Sequence, residues 1–217
     1  MTPHSDRPPP FPQGPAASRT QAGAWSRIGG ALGVKAWPIL ASGLILVVHP
    51  VVLRLEGRRW WCACGRPFLW AGNVHSSHNS QHLADPYSFS HIEHGILLYG
   101  LLAWACPRLS LAWRFVLTLA VEVGWEIAEN TNWVIDRYRA ATISFDYLGD
   151  TVGNSLGDVL CCVIGFYLAR WIGFWGSFSL VVLLEIGLLF WIHDNLLLNV
   201  IMLIHPFAGV KQWQAGA

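Results

Sequence analysis

Five apolar runs, each about as long as a bilayer is thick, constrain this chain more than any other feature of its sequence. They cover residues 36–53, 88–106, 111–130, 151–171 and 174–192. A helix needs roughly 17–25 apolar residues to cross a hydrocarbon core of about 30 Å. The pattern therefore predicts an all-α, polytopic transmembrane bundle of five spans. A sixth run, 196–204, is too short to cross and reads as a half-helix or interfacial segment. Charged residues make up 12% of the chain, about half the usual share of a soluble domain. Trp37, Trp104, Trp113, Trp171, Trp175 and Trp191 fall near run ends, where interfacial tryptophans collect.

The expected organisation is a disordered tail over 1–35, rich in Pro, Gly, Ala and Ser, a helical membrane domain over 36–210, and a short tail over 211–217. No cleavable signal is expected in the leader, so the first run should remain as an anchor. A net charge of +1 leaves no basic stripe for phosphates, which excludes nucleic acid as a partner. Five cysteines, two of them inside an apolar run, argue against a disulfide framework. Basic residues slightly favour a cytoplasmic amino terminus. On that topology, the connections after spans one, three and five share the periplasmic side and hold nearly all the unusual polar side chains.

Asp150, Asn154 and Asp158 recur at i, i+4, i+8, and Glu122, Glu126 and Asn130 repeat the spacing, with Glu129 beside them. Glu185 precedes Asp194 on the fifth span. At about 1.5 Å per residue, Asp158, Glu122 and Glu185 each lie roughly 12–14 Å below the polar face. Acids facing lipid would oppose insertion, at about 2.5–3.5 kcal/mol each at mid-bilayer. They are expected to face a shared interior cavity, with Glu126, Asp150, Asn154 and Asp158 as acid–base candidates. The competing reading is that they only join helices through hydrogen bonds.

Five of the nine histidines fall between His75 and His94. His82, His91 and His94, with Cys62 and Cys64, form a candidate metal set, and zinc is the ion such donors suit. The set lacks a recognised protease order, and histidines bonded to the nearby acids are the alternative. Arg137 and Arg139 are candidates for holding a lipid phosphate or acidic sugar, or else partners of Asp136, Asp146 or Asp150. Asp194 and Asn195, at the end of the fifth run, complete the candidate substrate-binding set.

These motifs resemble a bacterial family of uncharacterised multi-pass inner-membrane proteins, of the domain-of-unknown-function type. The matching stretches are CACG at 62–65, NSQHLADPYSFSHIEHG at 79–95, WEIAEN at 125–130, DRYRAATISFDYLGD at 136–150, NSLGD at 154–158 and DNLLLNVIML at 194–203. The resemblance implies an inner-membrane location and supplies no activity. His193 stands where the family pattern places an arginine, and His75 and His78 fall outside that pattern, which leaves them out of the metal set. A looser resemblance is to VanZ-like membrane proteins, through His91 and His94, then Glu126, then Asp150, Asn154 and Gly157. That likeness points toward cell-envelope or lipid biology. The expected function is a polar, metal-binding or acid–base cavity for a lipid or envelope precursor. A proton- or ion-coupled transporter and a non-catalytic scaffold are the alternatives.

Overall fold

The computed structural model describes residues 19–141 and 147–215, with side chains from residue 36 onward. Seven helices and no strand occur among the described residues. They are α1 (Arg19–Leu55), α2 (Ser88–Ala105), α3 (Leu111–Glu129), α4 (Asn132–Ala141), α5 (Val152–Ile192), α6 (Leu196–Ile204) and α7 (Ala208–Gln214). The chain divides into two units, Met1–Trp37 and Pro38–Ala217. The second unit carries the rest of α1 and every later helix.

Several boundaries differ from the sequence expectation. α1 begins at Arg19, where a disordered tail was expected as far as residue 35; residues 1–18 of that tail lie outside the described residues. The short tail expected from 211 carries the end of α7, whose Gln214 is buried. Among the described residues, two helices are long and apolar enough to cross a membrane, α1 over Ala36–Leu55 and α5. The other two long runs form α2 and α3, whose apolar character is diluted by His91, Glu93 and His94, and by Glu122 and Glu126.

α5 merges the fourth and fifth runs, and Gly173 interrupts it with a φ of 70° and a ψ of −175°. An L-residue rarely takes that conformation, so glycine suits the break. Two contacts show that the chain reverses there. Ser88 Oγ lies 2.7 Å from Asp158 Oδ1, and the neighbouring Phe89 ring lies 6.3 Å from that of Trp191. An unbroken helix would hold positions 158 and 191 roughly 50 Å apart. The segments 152–172 and 174–192 are therefore the two arms of a helical hairpin.

The first arm packs on α2 backbone to backbone. A methyl on Gly95 would overlap the Cys162 carbonyl, and one on Gly165 would overlap the Ile92 carbonyl. Small residues permit such close crossings. Leu119, Val123 and Val159 form an apolar cluster with Ile45, Phe115, Ile127 and Val163 around it. Beyond that cluster the usual arrangement is inverted. Buried residues include His49, His82, Asp85, His91, Glu93, Glu122, Glu126, Asp150 and Asp158, while Trp104, Trp171, Phe174 and Phe190 are each at least 74% exposed.

Candidate functional site

Residues 56–87 connect α1 to α2 without a helix or strand, and they close over the start of α5. The first N–H groups of a helix have no partner within it. Here Thr151 N donates to Ser80 O, Val152 N to Arg59 O and Gly153 N to Trp60 O. The Thr151 side chain also caps α5 by accepting from Asn154 N at 3.2 Å. Gly157 lets the Leu83 carbonyl approach the α5 backbone, where any Cβ would collide with it.

Beneath this connection, four helices contribute to one hydrogen-bonded network. His91 Nδ1 on α2 lies 2.6 Å from Glu122 Oε1 and 3.2 Å from Glu126 Oε1, both on α3. His94 Nδ1 lies 3.0 Å from Glu122 Oε2. On the other side, Ser155 Oγ of α5 donates to Glu126 Oε2 at 2.5 Å and meets His49 Nε2 of α1 at 2.8 Å. Helical spacing makes this possible, because His91 and His94, like Glu122 and Glu126, share a face within one turn.

A cleft partly open to solvent exposes one flank of this network. Its polar lining includes Asp85, His91, His94, Glu129, Asp150 and Asp158, with tyrosines 87, 138 and 147 around them. Trp125, Leu196 and Val200 form its apolar side. Asp150 is held by a reciprocal pair with Asn130: Asn130 Nδ2 donates to Asp150 Oδ2, and Asp150 N to Asn130 Oδ1, both at 2.7 Å. Tyr147 OH donates to Asp150 Oδ1 at 2.9 Å.

Of the expected acid–base residues, Asp150 and Asp158 line the cleft. Asp150 precedes the Thr151 cap and so is not on the helix, as its spacing had suggested. Glu126 lies behind His91, and Asn154 donates to Asp85 Oδ2 at 3.3 Å. Only two of the three deep acids converge: Glu122 and Asp158 flank His91, while Glu185 accepts from Leu197 N and neighbours the buried Glu93.

The candidate ligand-holding residues lie outside the lining of this polar cleft. Arg137 donates to the Leu203 and Ile204 carbonyls at the end of α6. Arg139 donates to Tyr147 O at 2.6 Å and pairs with Asp136 at 3.4 Å; Asp146 lies outside the described residues. Asn195 caps α6 by accepting from Leu198 N. Asp194 accepts from Tyr87 OH, Asn195 N and Asn199 Nδ2. These contacts hold the fold in place around the cleft.

The candidate metal residues divide between two places. Cys62, Cys64 and His82 meet in the 56–87 connection, together with His78, which the sequence reading left out. His91 and His94 belong to the network with Glu122, a second group whose donor atoms lie within 4.8 Å of one another. In the first group, the Arg66 backbone N–H holds the Cys64 thiol below its ordinary range, while burial raises that of Cys62. Burial lowers the pKa of His82, which favours the neutral imidazole.

Sequence reasoning missed Ser88, Ser155 and His49. A histidine inside an apolar run was a visible signal for His49; the serines carried none, since hydroxyls are common in helices.

The DUF2585 family, described as "Protein of unknown function (DUF2585)", matches residues 53–216. The chain belongs to this family. The DUF2585 protein is 44% identical over 178 residues to a "UPF0314 protein" of Paracoccus denitrificans, covering 82% of this chain and 92% of the relative. A "UPF0314 protein" of Brucella anthropi is 40% identical over 200 residues, covering 92% and 96% respectively. One from Sphingopyxis alaskensis is 42% identical over 177 residues, covering 82% and 94%. No solved structure matches the chain.

Two acids beside the cleft predict a pH dependence. Burial raises both Asp85 and Asp194 to about 6 from an ordinary value of 3.8. An acid raised in the native state binds its proton more tightly folded than unfolded. Its contribution is present in full below about pH 4 and is lost as pH rises through about 6. We expect the unfolding free energy of the purified protein to fall between pH 4.5 and 6.5, by up to about 3 kcal/mol per group, with a matching fall in the thermal midpoint. Asp194→Asn should remove part of the slope. A midpoint that climbs over this interval would contradict the assignment.

Proposed function

We propose that this DUF2585 protein is a multi-pass inner-membrane protein that binds an amphiphilic lipid or envelope precursor and acts on its polar head by acid–base chemistry. Five helical segments cross the bilayer: α1, α2, α3 and the two arms of α5. The exposed Trp, Phe and Leu side chains face hydrocarbon, and the polar network lies inside. An exterior this apolar would be a liability in water and is ordinary in lipid. The cleft opens on the periplasmic side.

The observation that carries the ligand reading is a shared wall. Trp125 and Val200 line both the polar cleft and an adjoining, largely apolar groove bounded by Trp133, Val134, Leu203 and Ile204, with Asp136 and Arg137 also in its wall. A polar compartment continuous with an apolar one fits a molecule built the same way. Its head meets Asp85, Asp150, Asp158 and His94, and its chain lies along the groove. His91, backed by Glu122 and Glu126, and Asp158, held by Ser88, are placed to exchange protons with the head.

The test is mass spectrometry of amphiphiles that co-purify with the protein in mild detergent. Wild type should retain one class of amphiphile. Val200→Trp, which fills the shared wall, should lower its occupancy by about tenfold, or about 1.4 kcal/mol. If wild type and Val200→Trp carry the same bulk-lipid profile, the reading fails. Asp158→Asn should preserve binding through the groove and suppress turnover of the bound class.

A further inference from the structure

We propose that Cys62, Cys64, His78 and His82 form a structural tetrahedral site for a thiophilic divalent cation, zinc by its chemistry, which clasps the 56–87 connection over α5. The inference is independent of the ligand reading, since these residues lie outside the cleft's lining.

The first argument is geometric. Cys62 Sγ lies 3.5 Å from His78 Nδ1, Cys64 Sγ lies 4.0 Å from His82 Nε2, and the two nitrogens are 3.0 Å apart. All four donor atoms lie within 4.8 Å of one another. Zinc–sulfur bonds of about 2.3 Å and zinc–nitrogen bonds of about 2.0–2.1 Å, in a tetrahedron, place donors roughly 3.3–3.8 Å apart. The side chains already stand at nearly that spacing around a common centre.

The second argument is the backbone around the thiols. Cys64 N points at Cys62 Sγ at 3.4 Å, and Arg66 N points at Cys64 Sγ at 3.5 Å. A backbone N–H is thus aimed at each of the two sulfurs, the kind of hydrogen bond that a metal-bound sulfur can accept. Gly65, with a φ of 70°, turns the chain between them. The Phe68 ring packs on both imidazoles, 4.9 Å from His82 and 6.4 Å from His78. Phe68 N also sits 3.4 Å from His82 Nδ1. With Nε2 committed to a metal, Nδ1 carries the ring proton, and this long contact gives way.

The third argument concerns the need for such a clasp. A connection of this length without helix or strand is uncommon in a compact domain unless something fastens it. This one carries much of its polar content inward. Ser80 and Asp85 reach the cleft, and the Arg59, Trp60 and Ser80 carbonyls answer the first N–H groups of α5. Two cysteines and two histidines supply all four positions of a tetrahedron, which leaves none for water or substrate. A closed set of that kind is structural, not catalytic.

The experiment uses the full chain, purified in detergent with any affinity tag removed. Elemental analysis should find about one zinc per chain. Chelation followed by cobalt addition should produce the intense visible bands of tetrahedral Co²⁺ with thiolate-to-metal charge transfer in the near ultraviolet. Cys62→Ser and His78→Ala should lose the metal, and His94→Ala should keep it. The cobalt spectrum is read on unmodified protein, so a variant that fails to fold does not decide the matter. Zinc-reconstituted wild type holding less than about a tenth of an equivalent would overturn the proposal. So would metal that survives in His78→Ala but leaves in His94→Ala, or an intact mass about 2 Da low from a disulfide between Cys62 and Cys64.

Discussion

Gly95→Ala should destabilise the protein far more than Gly100→Ala, although the two glycines lie on the same helix. A methyl at Gly95 would enter the space of the Cys162 carbonyl and the Phe166 backbone nitrogen, neither of which can swing aside as a side chain would. A methyl at Gly100 meets nothing within 4 Å. Inserting atoms into well-packed cores typically costs about 1–3 kcal/mol, and a backbone obstacle belongs at the upper end. Gly100→Ala should be neutral, or slightly stabilising through its effect on helix propensity. Thermal or denaturant unfolding of the two variants under the same conditions gives the comparison directly. Equal midpoints would mean that α2 and the first arm of α5 do not cross this closely. The effect should extend to the site, because the same crossing brings Ser88 of α2 to Asp158 of α5.

The second large effect is expected at His91. Its ring stands between Glu122 and Glu126, and Asp158 acts on it from α5. Removing it leaves buried carboxylates facing one another without the group that separates and bridges them. Breaking a buried charged pair by deleting one partner costs about 3–5 kcal/mol, because the remaining charge is left uncompensated. His91→Ala should lower the unfolding midpoint accordingly. His91→Ala combined with Glu122→Gln should cost less than the sum of the single changes, since neutralising Glu122 removes part of that penalty. Strict additivity would show that the two side chains are not coupled, and the network would lose its central link.

Much of the architecture was legible in the sequence. Hydropathy located α2, α3 and the two arms of α5 to within a few residues, because a run's length and apolar content depend only on local sequence, whereas α1 begins at Arg19, well before the first run. The break at Gly173 was legible too, as the short connection between the fourth and fifth runs. The polar interior was anticipated from the cost of turning Glu122, Glu126 and Asp158 outward. Membership in an uncharacterised bacterial family was readable from motifs such as CACG and NSQHLADPYSFSHIEHG, and the DUF2585 match over 53–216 supports it.

The rest depended on contacts between distant parts of the chain. Spacing along a helix tells which residues share a face, but not what that face meets. Glu185 has a depth like that of Glu122 and yet turns toward Glu93. Arg137 and Arg139 read either as holders of a phosphate or as partners of nearby acids; Arg139 does pair with Asp136, and α6 and Tyr147 offer the two arginines carbonyls. The metal candidates were chosen by residue type and order, which could not separate two clusters or restore His78 to the first. Local sequence thus determined most of the helices and gathered the polar side chains onto shared helix faces, because both follow from the periodicity and chemistry of nearby residues. Tertiary structure alone decided which donors meet, because that depends on where the hairpin of α5 and the glycine crossing with α2 place side chains from remote segments.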